Sequence, residues 1–343
     1  MPMTESPGRV LAFIPNWLGD VAMCTPALRA LARRFPDRAL IAAGRRSACE
    51  LVKGLPWLRS AVPIPAQPGI AAMLALRKAL RGPGAMLAVV FPHSFRAALA
   101  AWVSGAEVRL GYVRDGRSWL LTHNVLPYRE DGAIVPVYMG REYLDLVKTI
   151  GCEDDGEGLE LAAEPEAVEQ IRARLEGEGP LVAVAPGAAF GPSKRWPPER
   201  YAAVIDQLHD EAGARLVLVT GPGEEDTRDA VLSAARYPVI VADGGHPTID
   251  TLKATLALAD LLIGNDSGPR HVAIAFKKPV ICIMGPTSPR YSAGPYETGE
   301  VLRVEVDCGP CQKPECATDF RCMTRIAPET VVAAALRHLP AKR

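Results

Sequence analysis

Two hydrophobic patterns alternate along this chain. Short, nearly continuous apolar runs rich in Val, Ile, Leu and Ala suit strands buried on both faces. Longer stretches with apolar residues three and four apart suit helices with one buried stripe. In the first half the runs predict strands at Val10–Pro15, Ala39–Ala43, Ala61–Ile64, Met86–Phe91 and Val108–Tyr112. Helices fit between them at about Val21–Arg34, Ile70–Arg81 and Ser94–Val103. The alternation pauses in a turn-rich, aromatic stretch from about Arg114 to Val137 and resumes with a helix near Tyr138–Ile150. A second series follows, with strands at Leu181–Ala185, Arg215–Thr220, Val239–Ala242, Leu261–Gly264 and Pro279–Met284. Its helices fit Pro198–Ala212, Glu224–Arg236, Thr248–Leu258 and Gly268–Phe276.

Strand, helix, strand at this spacing means βαβ units and parallel sheets. The fold class is therefore α/β, with two Rossmann-like domains. Between the two series, Cys152 to Glu160 is acidic and Gly-rich, and Glu176 to Pro180 reads Glu-Gly-Glu-Gly-Pro. Both resemble linkers flanking a helix at about Pro165–Glu176. The expected domains are residues 1–165 and 178–343, the second carrying a cysteine cluster at 308–322. Parallel sheets bind ligands beyond the carboxyl ends of their strands. Two such domains facing each other would place a site in the cleft between them.

Composition adds bounds to this picture. The 343 residues suit about two domains, and 48% apolar with 23% charged residues is globular. Every run of eighteen apolar residues is interrupted by charge, so no membrane-spanning helix is expected. Asn16, Asp20 and Pro26 break the first apolar stretch, which argues against a signal peptide. A cytoplasmic protein is the expectation, with mostly reduced cysteines. The net charge is zero, but residues 1–150 carry 19 Lys+Arg against 10 Asp+Glu, a balance of +9 that the remainder cancels. A basic first half suits an anionic partner, or it is composition drift on solvated faces. With zero net charge and no recognisable module, nucleic acid is not an expected partner.

The strand-to-helix loops carry the candidate chemistry. In Asn16-Trp17-Leu18-Gly19-Asp20, Asp20 stands at a helix start, where it would serve either as an N-cap or as a general base. The loop Pro186 to Pro197 holds two glycines and the pair Lys194-Arg195 before a helix, suited to phosphate or to plain solvation. It is not a P-loop, since the Gly-Lys-Ser/Thr ending is missing. Glu224 and Glu225 follow a Gly-rich turn, where a carboxylate either accepts from ribose hydroxyls or favours the helix dipole. In Gly264-Asn265-Asp266-Ser267-Gly268-Pro269-Arg270-His271, a strand runs into a helix whose free amides suit a diphosphate. Asp266 and Ser267 there can bond sugar hydroxyls, and His271 lies one turn into the helix. Gly285-Pro286-Thr287-Ser288-Pro289 ends another strand and offers hydroxyls. Cys308, Cys311, Cys316 and Cys322 are spaced for a structural zinc, for disulfides or for free thiols.

Taken in order, Pro15 to Asp20, Lys194-Arg195-Trp196-Pro197, Asn265 to Gly268, His271 and Gly285 to Pro289 resemble the ADP-heptose:lipopolysaccharide heptosyltransferases of glycosyltransferase family 9. The resemblance implies the two-domain fold called GT-B, with acceptor bound by the first domain and nucleotide sugar by the second. It implies an inverting transfer that requires no cofactor. Asp20 would be the catalytic base on an acceptor hydroxyl. Lys194 would meet the donor diphosphate, and Asp266, Ser267, Gly268, His271 and Thr287 would hold the donor, Asp266 on its sugar. Glu225, or its neighbour Glu224, would contact the nucleoside. The partners implied are ADP-heptose, a lipid A core acceptor and an anionic membrane surface, with the protein peripheral on the inner face of the inner membrane. A family 9 enzyme with another donor or acceptor, or a non-catalytic nucleotide-sugar-binding protein, are the alternatives. Pro269-Arg270 departs from the family's small or apolar residues, which leaves that helix start open.

Overall fold

A computed structural model of the chain describes residues 8–65, 69–82 and 86–340. Residues 1 and 343, where the expected domains begin and end, lie outside them. The chain divides into two compact units, the first ending at Ala162 and the second beginning at Ala163.

In chain order the first unit contains β1 (Arg9–Phe13), α1 (Leu18–Arg34), β2 (Ala39–Gly44), α2 (Arg46–Val52), β3 (Ser60–Pro63), α3 (Ile70–Leu80), β4 (Met86–Val90), α4 (Phe95–Val103), β5 (Val108–Tyr112), β6 (His123–Val125), the two-residue strands β7 (Arg129–Glu130) and β8 (Ala133–Ile134), and α5 (Met139–Lys148). Its main sheet has the order β3-β2-β1-β4-β5-β6 and is parallel throughout. The β1 and β4 runs are apolar on both faces because helices cover both. One face packs Leu11, Phe13, Ala88 and Val90 against Leu76, Leu80 and Ala98 of α3 and α4.

Helix α1 is buried nearly all round, between the sheet and α5. Pro26 inside it removes the amide that would pair with the Ala22 carbonyl. The Thr25 hydroxyl donates to that carbonyl instead, at 2.7 Å. The acidic stretch expected to be a linker is docked. Arg29 of α1 grips Asp155 through two 2.7 Å bonds, Glu160 at 3.0 Å and the Gly158 carbonyl at 3.0 Å. Its carboxylates are counter-ions to a buried guanidinium, which sequence periodicity does not reveal.

The second unit contains α6 (Pro165–Arg174), β9 (Leu181–Ala185), α7 (Pro198–Ala212), β10 (Arg215–Leu218), α8 (Glu225–Ala234), α9 (Ile249–Leu258), β11 (Leu261–Asn265), α10 (Gly268–Ala275), β12 (Val280–Ile283), α11 (Pro289–Ser292), β13 (Gly299–Leu302), α12 (Arg321–Thr324) and α13 (Pro328–His338). Its sheet, β10-β9-β11-β12-β13, is again parallel. Val182, Val184, Ile263 and Ile281 pack on Trp196, Tyr201 and Val331. The strand expected at Val239–Ala242 is reduced to one bridge, Ile240 to Val217. Pro238 brings no amide to a ladder, and the turn at Asp243-Gly244-Gly245 ends the segment at once. Helices α2 and α13 and strand β13 were not expected from the pattern.

In both sheets the strand order reverses direction next to the first strand, between β1 and β4 and between β9 and β11. Such a switch point opens a crevice at the strands' carboxyl ends.

Candidate functional site

In the second unit, the loops leaving β9, β11 and β12 converge on one carboxylate. Asp266 follows β11 and is buried. Its Oδ2 accepts from Lys194 Nζ at 2.9 Å and from Thr287 Oγ1 at 2.7 Å. Its Oδ1 accepts from Arg270 Nη1 at 2.8 Å. Burial by itself would raise the Asp266 pKa; Lys194 and Arg270 outweigh it and hold the carboxyl well below its usual range. Arg270 is almost wholly buried and also forks onto Glu297, at 2.7 and 2.6 Å. A charge desolvated this far survives only with such partners. The residue that departs from the family pattern is thus built into the site, and its signal in the sequence was an arginine at the start of an otherwise apolar helix.

Asn265 staples the same loops. Its Nδ2 donates to the Pro186 carbonyl at 2.7 Å, and its Oδ1 accepts from the Trp196 amide at 3.2 Å and the Tyr201 hydroxyl at 2.9 Å. Lys194 is thereby fixed beside the start of α10, its ammonium also on the Asp266 carbonyl at 2.8 Å. Ser267 is the N-cap residue of α10, yet its side chain makes no capping bond. Ser267 Oγ and His271 Nδ1 are buried without hydrogen-bond partners among the described residues. Burial first, then Arg270, lowers the His271 pKa to about 3, so its ring is neutral near pH 7. A cation, the Gly268 amide at the start of α10, a hydroxyl and a neutral imidazole make a site ready for an anionic, hydroxyl-rich ligand.

Of the two glutamates, Glu224 turns inward. It accepts from the Gly221 amide at 2.7 Å and lies where a Gly187 side chain would go, 1.9 Å from an ideal Cβ. Glu225 is exposed and accepts from the Gly223 amide at 3.2 Å.

The four clustered cysteines line one pocket of about 100 Å³ but are not arranged as a zinc would require. Among the described residues, no three or more His, Cys, Asp or Glu side chains are arranged to hold a metal ion. All eight cysteines are free thiols. Cys308 and Cys316 turn toward the Thr318 hydroxyl, at 3.9 and 3.5 Å. Cys322 lies under Gly285 instead.

In the first unit, Asp20 is the third residue of α1, and Trp17 is the N-cap residue, so Asp20 is not the cap. Asp20 is half-buried near Cys24 and Tyr143, whose pKa values it helps to raise after the larger effect of burial. A pocket of about 960 Å³ opens beyond β1, β2 and β4, lined by Asn16, Arg45, Arg46, Ser47, Ser94 and Arg96 among others. Next to it His93 Nε2 lies 2.7 Å from Glu142 Oε1, off the hydrogen-bond axis. The arginines were missed because Arg45 precedes α2 while Arg46 and Arg96 stand in the first turns of α2 and α4, with no motif around them; only the overall basic balance of the first half hinted at them.

Residues 73–320 match the family described as Glycosyltransferase family 9 (heptosyltransferase). Lipopolysaccharide heptosyltransferase 2 of Escherichia coli (strain K12) is 27% identical over 338 residues, 94% of this chain and 96% of that protein. The crystal structure of a family 9 glycosyl transferase from Veillonella parvula DSM 2008 superposes with a TM-score of 0.84 at 22% identity, covering 98% of each chain. E. coli ADP-heptose lps heptosyltransferase II superposes at 0.76 and 22% identity, over 96% of this chain and 98% of that one. The α/β, GT-B architecture expected from the sequence is borne out.

Proposed function

The chain belongs to glycosyltransferase family 9 (heptosyltransferase), and we propose that it moves heptose from ADP-heptose onto the inner core of lipopolysaccharide, with inversion. The observation that carries this is the buried Lys194–Asp266–Arg270–Thr287 cluster at the start of α10, beside the unpartnered Ser267 hydroxyl and His271 Nδ1. The similarity to lipopolysaccharide heptosyltransferase 2 and to a structure described as an ADP-heptose enzyme supports the donor.

In this reading the diphosphate lies on Lys194 and the Gly268 amide, which take up the charge that develops as ADP leaves. Ser267 and His271 Nδ1 meet donor hydroxyls or phosphate oxygens. Asp266 acts through Lys194, since it is buried and already accepts from Lys194, Thr287 and Arg270. Glu224 is the better candidate for the nucleoside, because it is the glutamate turned toward Gly187. Asp20 removes the proton from the acceptor hydroxyl as its oxygen attacks the anomeric carbon. Charge stabilisation by Lys194 and the Gly268 amide supports a reaction without a required metal. Arg45, Arg46 and Arg96 would bind acidic groups of a lipid A core.

No helix among the described residues is long and apolar enough to cross a membrane. We place the protein in the cytoplasm, peripheral on the anionic inner face of the inner membrane. The basic first half and the exposed Phe95, Trp119 and Leu126 support that contact.

The test is transfer from ADP-heptose to an inner-core acceptor by the intact chain and by Asp20→Ala. Activity in the first and its loss in the second are expected. A variant within about tenfold of the parent, ~1.4 kcal/mol of barrier, would remove Asp20 from the chemistry. Preference for UDP- or GDP-sugars in calorimetry would assign a different donor.

A further inference from the structure

The large pocket of the first unit has a neighbour. Beside it lies a second cavity of about 370 Å³, lined by Arg46, Glu50 and Lys53 on one side and by Arg59, Ser60 and Pro63 on the other. Arg46, Glu50 and Pro63 line the larger pocket as well, so the two cavities share a wall. Helix α2 runs from Arg46 to Val52, and Lys53 is its C-cap residue. Residues 46, 50 and 53 are spaced four and three apart, which sets them along one face of the helix. The opposite side is β3, the outermost strand of its sheet, paired with β2 alone.

The second cavity holds three cations against one carboxylate, a balance of +2. Arg46 and Arg59 are exposed, and neither makes an ion pair with a carboxylate among the described residues. A solvated helix face carries similar charges, but it is convex. Here cations from α2 and from β3 line one concavity, where like charges held together favour a multiply charged anion. A carboxylate brings one negative charge. A phosphate monoester brings about 1.5 to 2 near neutral pH, with three acceptor oxygens. That matches the +2 balance, the two arginines and the Ser60 hydroxyl. At about 1.5 Å of rise per residue, Arg46 and Lys53 stand roughly 10 Å apart along α2. A ligand that fills both cavities therefore needs anionic groups at about that spacing.

We propose that this second cavity is a phosphate subsite of the acceptor groove, in which Lys53 and Arg59 hold a phosphate group of the acceptor remote from the hydroxyl that reacts. Arg46, on the shared wall, joins the two cavities into one groove. The subsite determines specificity: an acceptor with a phosphate at the right spacing binds more tightly than the same acceptor without it. The proposal rests on the reading of the larger pocket as the acceptor site.

The test is calorimetric binding of a deacylated inner-core acceptor, with its phosphates and after phosphatase treatment, to the full chain and to Lys53→Ala with Arg59→Ala. Both substituted residues are exposed, so the variant is expected to fold, which circular dichroism checks. In the parent, removing the phosphates should weaken binding about fivefold, as two exposed cation–phosphate pairs would supply. In the variant that factor is lost. An unchanged factor in the variant, or no effect of phosphate removal on the parent, overturns the proposal. Sedimentation with phosphatidylglycerol vesicles free of acceptor separates a lipid headgroup from the acceptor's phosphate. If the variant leaves those vesicles while its acceptor factor equals the parent's, the cavity serves the membrane and the proposal falls. If Arg45→Ala with Arg96→Ala leaves acceptor affinity unmoved while Lys53→Ala with Arg59→Ala still removes the phosphate factor, the subsite stands and the acceptor reading of the larger pocket falls.

Discussion

Asp266→Asn separates two roles for one carboxylate. As a sugar ligand it would have to offer the one lone pair still open on Oδ1. In the structure three donors occupy it, Lys194 at 2.9 Å, Arg270 at 2.8 Å and Thr287 at 2.7 Å. The amide removes the charge and turns an N–H₂ toward groups that are themselves donors. Arg270 keeps its fork on Glu297 at 2.7 and 2.6 Å, so the loss falls mainly on Lys194, which retains only the Asp266 carbonyl at 2.8 Å. Breaking a buried pair costs about 3–5 kcal/mol of stability, expected as reduced amide-exchange protection of β11. A Lys194 ammonium no longer held loses a charge-assisted bond worth about 1.5–3 kcal/mol, or roughly ten- to a hundredfold in affinity. The assay is calorimetric binding of ADP and of ADP-heptose to the folded variant. A positioning role weakens both ligands by the same factor, because ADP shares the diphosphate and lacks the sugar. If ADP binds the variant as tightly as the parent and only ADP-heptose is weakened, the positioning role is refuted.

Other expectations follow from the same geometry. Asp20→Asn should lower transfer by about a hundredfold or more and leave calorimetric ADP affinity unchanged; an equal loss in both would make Asp20 structural. His271 has a folded pKa of about 3 against an ordinary 6.5, so the unfolded chain binds its proton first. Its contribution to stability is full above pH 6.5 and is lost, at about 1.4 kcal/mol per pH unit, as pH falls toward 3. Denaturation between pH 6.5 and 5 should thus be steeper in pH for the parent than for His271→Asn, and equal slopes would refute the neutral, buried ring. Arg45→Ala with Arg96→Ala should raise the acceptor KM and weaken its salt dependence with the donor KM unmoved; a donor effect instead would take the pocket away from the acceptor. Arg29→Met leaves Asp155 and Glu160 without their shared partner, and should cost the first unit about 3–5 kcal/mol, read by its amide exchange.

The local pattern carried most of the fold. Val108–Tyr112, Leu181–Ala185 and Pro198–Ala212 have the bounds the sequence predicted, because a residue's period of burial is written in its neighbours. The failures have two different causes. Val239–Ala242 is apolar enough for a strand but has one bridge to a partner. Cys152 to Glu160 looks like a tether but is pinned by Arg29. The first was ended by its own neighbours, Pro238 and the Asp243-Gly244-Gly245 turn; the second was decided by a group 126 positions away.

The site divides in the same way. The sequence by itself determined that loops with Asp20, Lys194, Asp266 and Thr287 stand at strand ends, since alternation of apolar runs and helical stretches dictates parallel sheets and their carboxyl edges. Only the tertiary structure decided what those side chains do. Lys194 and Asp266 are 72 positions apart, and nothing local says that they share a bond, that Arg270 joins them, or that Glu224 rather than Glu225 turns inward. Gly191 reads as room for a phosphate and proves to be room for the Pro314 carbonyl. The physical reason is that burial periodicity is a property of adjacent residues, whereas the pairing of a carboxylate depends on which distant donors the packed core brings within about 3 Å of it.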